Sequence, residues 1–257
     1  FKAQSGKESA KYKLEIDSYN PNTITQKLTP FVLKSKASVE KEIAPYGQVG
    51  TNKAYIEFSS LPPIDISKRI ENLVNYPHGC AEQITSKAFP QIYLSEIADL
   101  PVNQINETES NVQKAIEKLG NLQRVDGSIP YWQFGNANEW CTSYVGHFML
   151  EAKHKGFSMP ISFMNNWKSY QSKKARMWKN DARFAYDDLT QAYRLFTLAL
   201  AGSPNLAAMN KLKQSGTLPN AARWRLALSY AVIGQNNAAR EIIKTADVSS
   251  SEKRYYR

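Results

Sequence analysis

Cysteine is nearly absent from this chain: two residues, Cys80 and Cys141, in 257. So low a number excludes a disulfide framework, and without a CxxC pair or a cysteine–histidine cluster the spacing of a zinc site is missing too. One bridge between the two is all the count permits, and nothing in their local sequence suggests it. Histidine is almost as scarce, with only His78, His147 and His154. The last two are seven apart on one predicted helix and share a face, but the pattern offers no third ligand, so neither a metal nor any other cofactor is expected. Long apolar runs are lacking as well. No stretch of about 18 such residues occurs, so no helix of this segment should span a membrane, and no basic-plus-apolar leader stands at the start. The chain opens on FKAQ without an initiator methionine and stops at KRYYR just after a helical segment. It reads as a piece of something longer whose targeting signals lie elsewhere.

What is present suits a folded protein with a real core, since 42% of the residues are hydrophobic. The net charge of +10 would suit a nucleic-acid partner, yet lysine and arginine are scattered through KESAKYK, KSKASVEKE, KSYQSKKARMWK and SEKRYYR rather than gathered in a recognition motif. A solvated basic surface is the better reading, with no nucleic acid as partner. Such a surface also suits an anionic membrane or cell wall.

The first sixty residues read as β-structure. KYKLEIDSY alternates Tyr12, Leu14 and Ile16 with polar residues, TPFVLKS is a short apolar run, and KAYIEFSS alternates again around Tyr55, Ile56 and Phe58. Asn20-Pro21-Asn22 and Pro45-Tyr46-Gly47 punctuate them as turns. The composition then changes at Leu61-Pro62-Pro63, a stiff linker, after which Asp65 or Ser67 is placed to cap a first helix.

From there the pattern is helical: ISKRIENLV, AEQITSKAFPQIYLSEIADL, ETESNVQKAIEKLGNLQ, TSYVGHFMLEAKHKG, SFMNNWKSYQSKKARMWKN, DLTQAYRLFTLALAG, NLAAMNKLKQ, AARWRLALSYAVIG and NNAAREIIKTA. Glycines 120, 156, 202 and 234 stand where a left-handed C-terminal residue is wanted. Consecutive helical hairpins with wide apolar stripes can curve and close, which favours an α/α toroid over an open solenoid. The expected domains are a β-strand segment over 1–60 and the toroid over 61–257. QRVDGSIPYWQF, rich in turn residues and aromatics, should form a hairpin loop at one face of the ring.

Residues 76–83 read YPHGCAEQ. A primary amide is a poor electrophile, but a thiolate held against a glutamine carbonyl can displace ammonia and leave an intramolecular thioester. Side chains at i and i+3, as Cys80 and Gln83 are, lie on the same side of a helical turn. Gly79 lets the backbone turn sharply before the cysteine, and Pro77 limits the approach. The thioester would be an activated acyl group open to lysine amines, hydroxyls or water. It survives only under apolar cover, for which Tyr76, Tyr131, Trp132, Trp140 and Tyr144 are available.

The stretch LPPIDISKRIENLVNYPHGCAEQITSKAFPQIYL closely resembles the start of the thioester domain in the α2-macroglobulin and complement superfamily, the bacterial α2-macroglobulins in particular. QRVDGSIPYWQFGNANEWCTSYVGHFMLEAKHKG resembles the next recurring block, and together the two cover roughly residues 50–160. The resemblance implies a mainly α fold: an α/α toroid, here incomplete at the C-terminus, set in a β-sandwich of the CUB type whose first part is residues 1–60. It further implies a large parent protein of the cell envelope, periplasmic or extracellular, with lipid anchoring an open option. That parent would be cut by a protease in a bait region, change shape and bond covalently to its attacker, as a single-use inhibitor rather than an enzyme. The implied partners are target proteases, held through lysine amines, and the other domains of the parent chain. Cys80 and Gln83 carry over as the thioester pair, and Glu82 matches the motif acid.

One departure stands out. Many members carry, about a hundred or more residues beyond the cysteine, a histidine that takes over the acyl group and steers it to hydroxyls; the matching region near RFAYDDLTQAY has none. Amine acceptors are therefore expected, with His78 the nearest imidazole able to assist.

Three other readings remain at this stage. An α/α-toroid carbohydrate-active enzyme would need paired carboxylates, for which Asp126, Glu139, Asp181, Asp187 and Asp188 are candidates. A cysteine-nucleophile enzyme would need a base, His78 or His147, oriented by a further group. The third is a thioester-domain fold in which the bond never forms, acting as a structural or binding module. Cys141 itself reads as a core residue at a helix start.

Overall fold

The structure, a computed structural model, describes residues 1–15, 25, 27–29, 31–45, 47–56, 58, 74, 76–98, 100–179, 187–216, 218–244 and 246. The linker at Leu61-Pro62-Pro63, the caps Asp65 and Ser67, nearly all of the ISKRIENLV helix, the turn at Asn20-Pro21-Asn22, Ile16 and Asp181 lie outside them. Two compact units make up the chain, Phe1–Ile64 and Asp65–Arg257.

In the first unit, β1 (Lys2–Ser5) and β2 (Glu8–Lys11) form an antiparallel pair with Lys2 opposite Lys11 and Ser5 opposite Glu8. Its open end is closed by Tyr12, whose N–H donates to the Phe1 carbonyl at 2.9 Å. The strands thus come earlier than the alternation predicts. Among the described residues of KYKLEIDSY only Lys11 is in a strand, and the described residues of KAYIEFSS are in none. Alternation marks a face that needs a second layer, and among the described residues of this unit every one is exposed, so none of them supplies that layer.

The second unit is helical: α1 (Ala81–Gln91), α2 (Leu94–Ile97), α3 (Val102–Asn121), α4 (Glu139–His154), α5 (Phe163–Met177), α6 (Asp187–Leu200), α7 (Leu206–Lys213), α8 (Asn220–Val232) and α9 (Asn236–Ile243). Packing follows a strict alternation. α1, α4, α6 and α8 lie side by side in one row, and α3, α5, α7 and α9 back each of them in turn. Burial agrees with that division. On α3 it is confined to one stripe, Thr108, Asn111, Val112, Ala115, Ile116 and Leu119, as a helix with one face to water requires. On α6 it runs nearly all round, through Gln191, Ala192, Tyr193, Arg194, Leu195, Thr197, Leu198 and Ala199. An inner row inside an outer row of hairpin partners is the plan of an α/α toroid. Between the rows lie two apolar clusters, one around Ile84, Val112, Ile116, Phe148 and Trp167, the other around Leu195, Met209, Leu226 and Ile242.

Gly156, Gly202 and Gly234 end α4, α6 and α8 with φ of +90°, +66° and +79°. At each, the following N–H reaches back to the carbonyl five residues earlier, as from Ser203 to Leu198 at 2.9 Å. Gly120 does not fill that role: it lies inside α3, where a Cβ would stand 3.1 Å from Pro160 Cγ. The predicted helix from Ala81 to Leu100 is also interrupted. Pro90 lacks an N–H and crowds the carbonyl four residues back, so α1 stops at Gln91 and a tight turn through Ile92 and Tyr93 leads into α2.

His147 on α4 is half-buried among Tyr193, Glu151, Phe89 and Phe196. Its ring Nδ1 is 3.0 Å from Tyr193 Oη and its Nε2 3.5 Å from Glu151 Oε1. His154, seven residues on, is exposed. Among the described residues no group of three or more histidine, cysteine, aspartate or glutamate side chains is placed to hold a metal.

Two predictions follow from this packing. A Cβ on Gly146 of α4 would fall 2.1 Å from Trp167 Cε2, an indole held by its Nε1 donating to the Thr142 carbonyl at 2.8 Å. Gly146→Ala should therefore destabilise by about 1–3 kcal/mol despite its gain in helix propensity, measured by denaturant unfolding. Burial lowers the pKa of His147, with Arg225 acting in the same direction and Glu151 opposing. Below about pH 6.5 the unfolded chain then binds a proton that the folded one resists, so stability should fall as pH drops through that range. Thermal melts from pH 7.5 to 5.5 should show this fall, and His147→Gln should flatten it.

Candidate functional site

Cys80 is the N-cap of α1, with extended backbone (φ −72°, ψ 170°), and Gln83 is the third helical residue. The Gln83 side chain does not run out into solvent along the helix. It folds back, and its Oε1 accepts a hydrogen bond from the Cys80 N–H at 3.1 Å. Only glycine allows this at position 79. With φ of +114°, a Cβ there would lie 2.0 Å from Gln83 Oε1 and 2.9 Å from its Cδ. The carboxamide therefore occupies the space a side chain at 79 would take, directly over the backbone that carries Cys80. The donated N–H also polarises the carbonyl in the sense that makes Cδ more electrophilic.

A loop covers one side of this arrangement. The Ala81 N–H donates to the Tyr131 carbonyl at 2.8 Å, tying residues 123–138 to the start of α1. The loop is hairpin-like. An isolated antiparallel bridge pairs Pro130 with Ala137, and Arg124 Nη1 donates to the Gly135 carbonyl at 2.7 Å. Thr142 Oγ1 accepts from the Ile129 N–H at 2.9 Å and donates to the Asn138 carbonyl at 2.6 Å. Tyr131 and Trp132 stay 36% and 62% exposed. With Gly79, Ile84, Lys118, Asn121, Leu122 and Gln133 they line a surface cavity of about 400 Å³.

The other candidates separate into those near this point and those elsewhere. Tyr144 is linked to α1 through Ser86: its Oη is 3.2 Å from Ser86 Oγ, which donates to Glu82 Oε1 at 2.8 Å. Glu82 is thus paired along α1 towards α4. Tyr76 is half-buried, its ring 4.6 Å from that of the exposed His78. Trp140 packs its ring 5.0 Å from Tyr193 and 5.7 Å from the Arg225 guanidinium, within the inner row.

Two residues join the site that the motif does not mark. Cys141, third in α4 and fully buried, has its N–H capped by Asn138 Oδ1 at 2.8 Å and its Sγ 3.9 Å from the Pro130 carbonyl. Burial, with Cys80 and Glu82 nearby, pushes its thiol up to about 12. Lys118 on α3 reaches the carbonyl of Pro77 with Nζ at 3.2 Å. Only the fold reveals this, since 41 residues separate the partners.

Of the candidate carboxylates, Glu139 and Asp126 are engaged in structural contacts. Glu139 meets Lys174 Nζ at 2.8 Å and Arg194 Nη2 at 2.5 Å. Burial would raise its pKa, but these two cations outweigh burial and hold it below its usual value. Asp126 accepts from the Ser128 hydroxyl and N–H at 2.6 and 3.0 Å, and the hydroxyl bond holds its carboxyl low. Asp187 and Asp188 open α6, where burial raises both.

Comparison with known proteins agrees with this fold. Residues 55–179 match the family model of the α-macroglobulin thioester (TED) domain. The chain is 29% identical over 120 residues to the α2-macroglobulin of Escherichia coli K12, covering 45% of this chain and 7% of that protein. It superposes on Salmonella α2-macroglobulin reacted with methylamine with a TM-score of 0.63 at 23% identity, over 72% of this chain and 13% of the other. On E. coli α2-macroglobulin activated by porcine elastase the TM-score is 0.59 at 24% identity, over 75% and 18%. The chain thus spans a small part of these relatives, and among the described residues no helix is long and apolar enough to cross a membrane. With the CAEQ motif seated on the first inner helix of a row of hairpins, residues 55–179 form a thioester domain of the α-macroglobulin kind, similar to that of the bacterial α2-macroglobulins.

Proposed function

We propose that Cys80 and Gln83 form an internal thioester, and that the parent chain spends it once to trap an attacking protease covalently. The observation that carries this reading is the Gln83 carboxamide folded back over Gly79 onto the Cys80 N–H. In the forming step the Cys80 thiolate adds to Gln83 Cδ. The Oε1 that becomes negative is already hydrogen-bonded, and the tetrahedral centre collapses with loss of ammonia. Proximity supplies the effective concentration that an unactivated amide needs.

The acceptors are amines. His78 is exposed and stacked on Tyr76, His154 is exposed, and His147 is engaged with Tyr193 and Glu151. Direct attack therefore decides, and a primary amine is a far better direct nucleophile towards a thioester than a hydroxyl or water. Lysine side chains of the captured protease fit that requirement, brought close by cleavage of a bait segment elsewhere in the parent. The relatives that reacted with methylamine and were activated by elastase support both halves of this reading. Gln83 and Trp132 are exposed on the domain itself, so other domains of the parent complete the shield. Residues 1–60 would supply the first part of a CUB-like β-sandwich and residues 61–257 the toroid, in a protein of the cell envelope.

The test is intact mass of the parent chain before and after methylamine. The wild type should be lighter than its sequence by one ammonia, and methylamine should add to Gln83 while releasing the Cys80 thiol. Cys80→Ala and Gln83→Ala should abolish both the mass deficit and protease cross-linking. Gly79→Ala should remove at least most of the deficit, because its Cβ occupies the place of the carboxamide. Full-length Gly79→Ala with an undiminished deficit would count against the geometry proposed here.

Acceptor choice gives a separate prediction. Mapped cross-links should be amides from Gln83 to protease lysines, and glycerol should be incorporated far more slowly than methylamine. Equal incorporation of the two would reveal a general base, with His78→Ala the variant that identifies it.

A further inference from the structure

We propose that Lys118 is a positioning residue for this thioester: its ammonium clamps residues 76–79 onto α3 and so fixes the backbone over which Gln83 folds. The inference rests on the thioester reading above.

Three observations meet at this side chain. Its Nζ donates to the Pro77 carbonyl at 3.2 Å. The same Nζ stands 4.1 Å from the centre of the Tyr76 ring, with Lys114 Nζ, one turn earlier on α3, 5.5 Å from it. Lys118 also shares the wall of the cavity beside Gly79 with Tyr131 and Trp132. Residues 76–79 need such a hold. They precede the helix, Pro77 has no N–H to give, and among the described residues no backbone–backbone hydrogen bond holds them. Yet their placement tolerates little error, because Gln83 Oε1 fills the space a Cβ on Gly79 would take. A cation over an aromatic face and a charge-assisted bond to a carbonyl act together here, with the start of α1 fixing the other end of the segment.

The clamp answers a chemical hazard as well. A lysine amine close to a thioester is itself an acceptor, and acylation of Lys118 by Gln83 would discharge the trap. Nζ is committed to the Pro77 carbonyl and the Tyr76 ring, and attack on Cδ would require it to leave both.

The experiment uses the full-length parent and follows appearance of the Cys80 thiol at neutral pH without protease, alongside intact mass and thermal melts. Lys118→Met should open about tenfold faster than wild type, a factor equivalent to about 1.4 kcal/mol, with its melting temperature close to wild type. Lys118→Gln, which keeps a neutral polar group near Pro77, should also open faster. Lys118→Arg should restore slow opening, since a guanidinium both donates to a carbonyl and stacks on a ring. In a Tyr76→Leu background, Lys118→Met should add little, because the two groups act together. Wild-type opening rates for Lys118→Met and Lys118→Gln would overturn the clamp, as would an arginine variant that opens as fast as methionine. A wild-type chain lacking one ammonia but with Cys80 already alkylatable and no methylamine uptake would make Lys118 the acceptor, again overturning it. A wild-type chain with neither the mass deficit nor methylamine uptake would instead remove the thioester reading on which the clamp depends.

Discussion

A single hydrogen bond, from the Cys80 N–H to Gln83 Oε1, fixes where the Gln83 carboxamide sits at the start of α1. Most glutamines at the third position of a helix have a choice between solvent and the N-cap, and a weak preference decides. Here the choice is constrained from below, because Gly79 at φ +114° opens a space that the carboxamide fills. Under the proposed function this local capping contact would also serve to bring the amide carbon to the thiol, so helix start and reactivity could not be altered independently at this position.

What surrounds the pair is positioned by the ring. The loop carrying Tyr131 and Trp132 leads into α4, and the first residue of α4, Glu139, is gripped by Arg194 from α6 and Lys174 from α5. Arg194 is 1% exposed and also bonds Gln171 and Gln191, so its buried charge is fully partnered. Breaking such a network by removing one member leaves a buried charge without its counterion, which is why buried ion pairs fix geometry even where they add little net stability. Asn138 and Thr142 extend the hold from α4 back into the loop, and the loop's Tyr131 carbonyl extends it to Ala81. The cover over Cys80 is thus anchored three helices away.

The sequence made part of this legible and hid part for physical reasons. Helix spans followed from apolar stripes, and three of four C-terminal glycines from the need for a left-handed residue there. Pro90 carried its own signal, a missing N–H in mid-helix, and the apolar periodicity on both sides of it outweighed that signal when the segment was read as one helix. In residues 1–60, alternation identified faces without saying what would cover them, and the one described strand pair instead joins polar stretches on either side of Gly6. The CAEQ motif pointed to Cys80 and Gln83 because i,i+3 neighbours are a local property. Lys118, and the place of Cys141 under the loop, depend on contacts between distant segments, for which no spacing rule exists. Trp140 follows the loop directly, and its ring packs against Tyr193 and the Arg225 guanidinium, partners that only the fold reveals.

The partial exposure of the site bears on how the trap is set. A thioester that the domain alone buried completely would be safe from water but also from the lysine it must capture. Here the supports that define geometry, Gly79, the N-cap bond and the tether to Tyr131, all lie within the domain, whereas Gln83 and Trp132 still face outward. Under the proposed function, forming the bond and hiding it would therefore be separable tasks: the contacts that place the carboxamide lie within the domain, and the remaining cover would come from other parts of the parent chain.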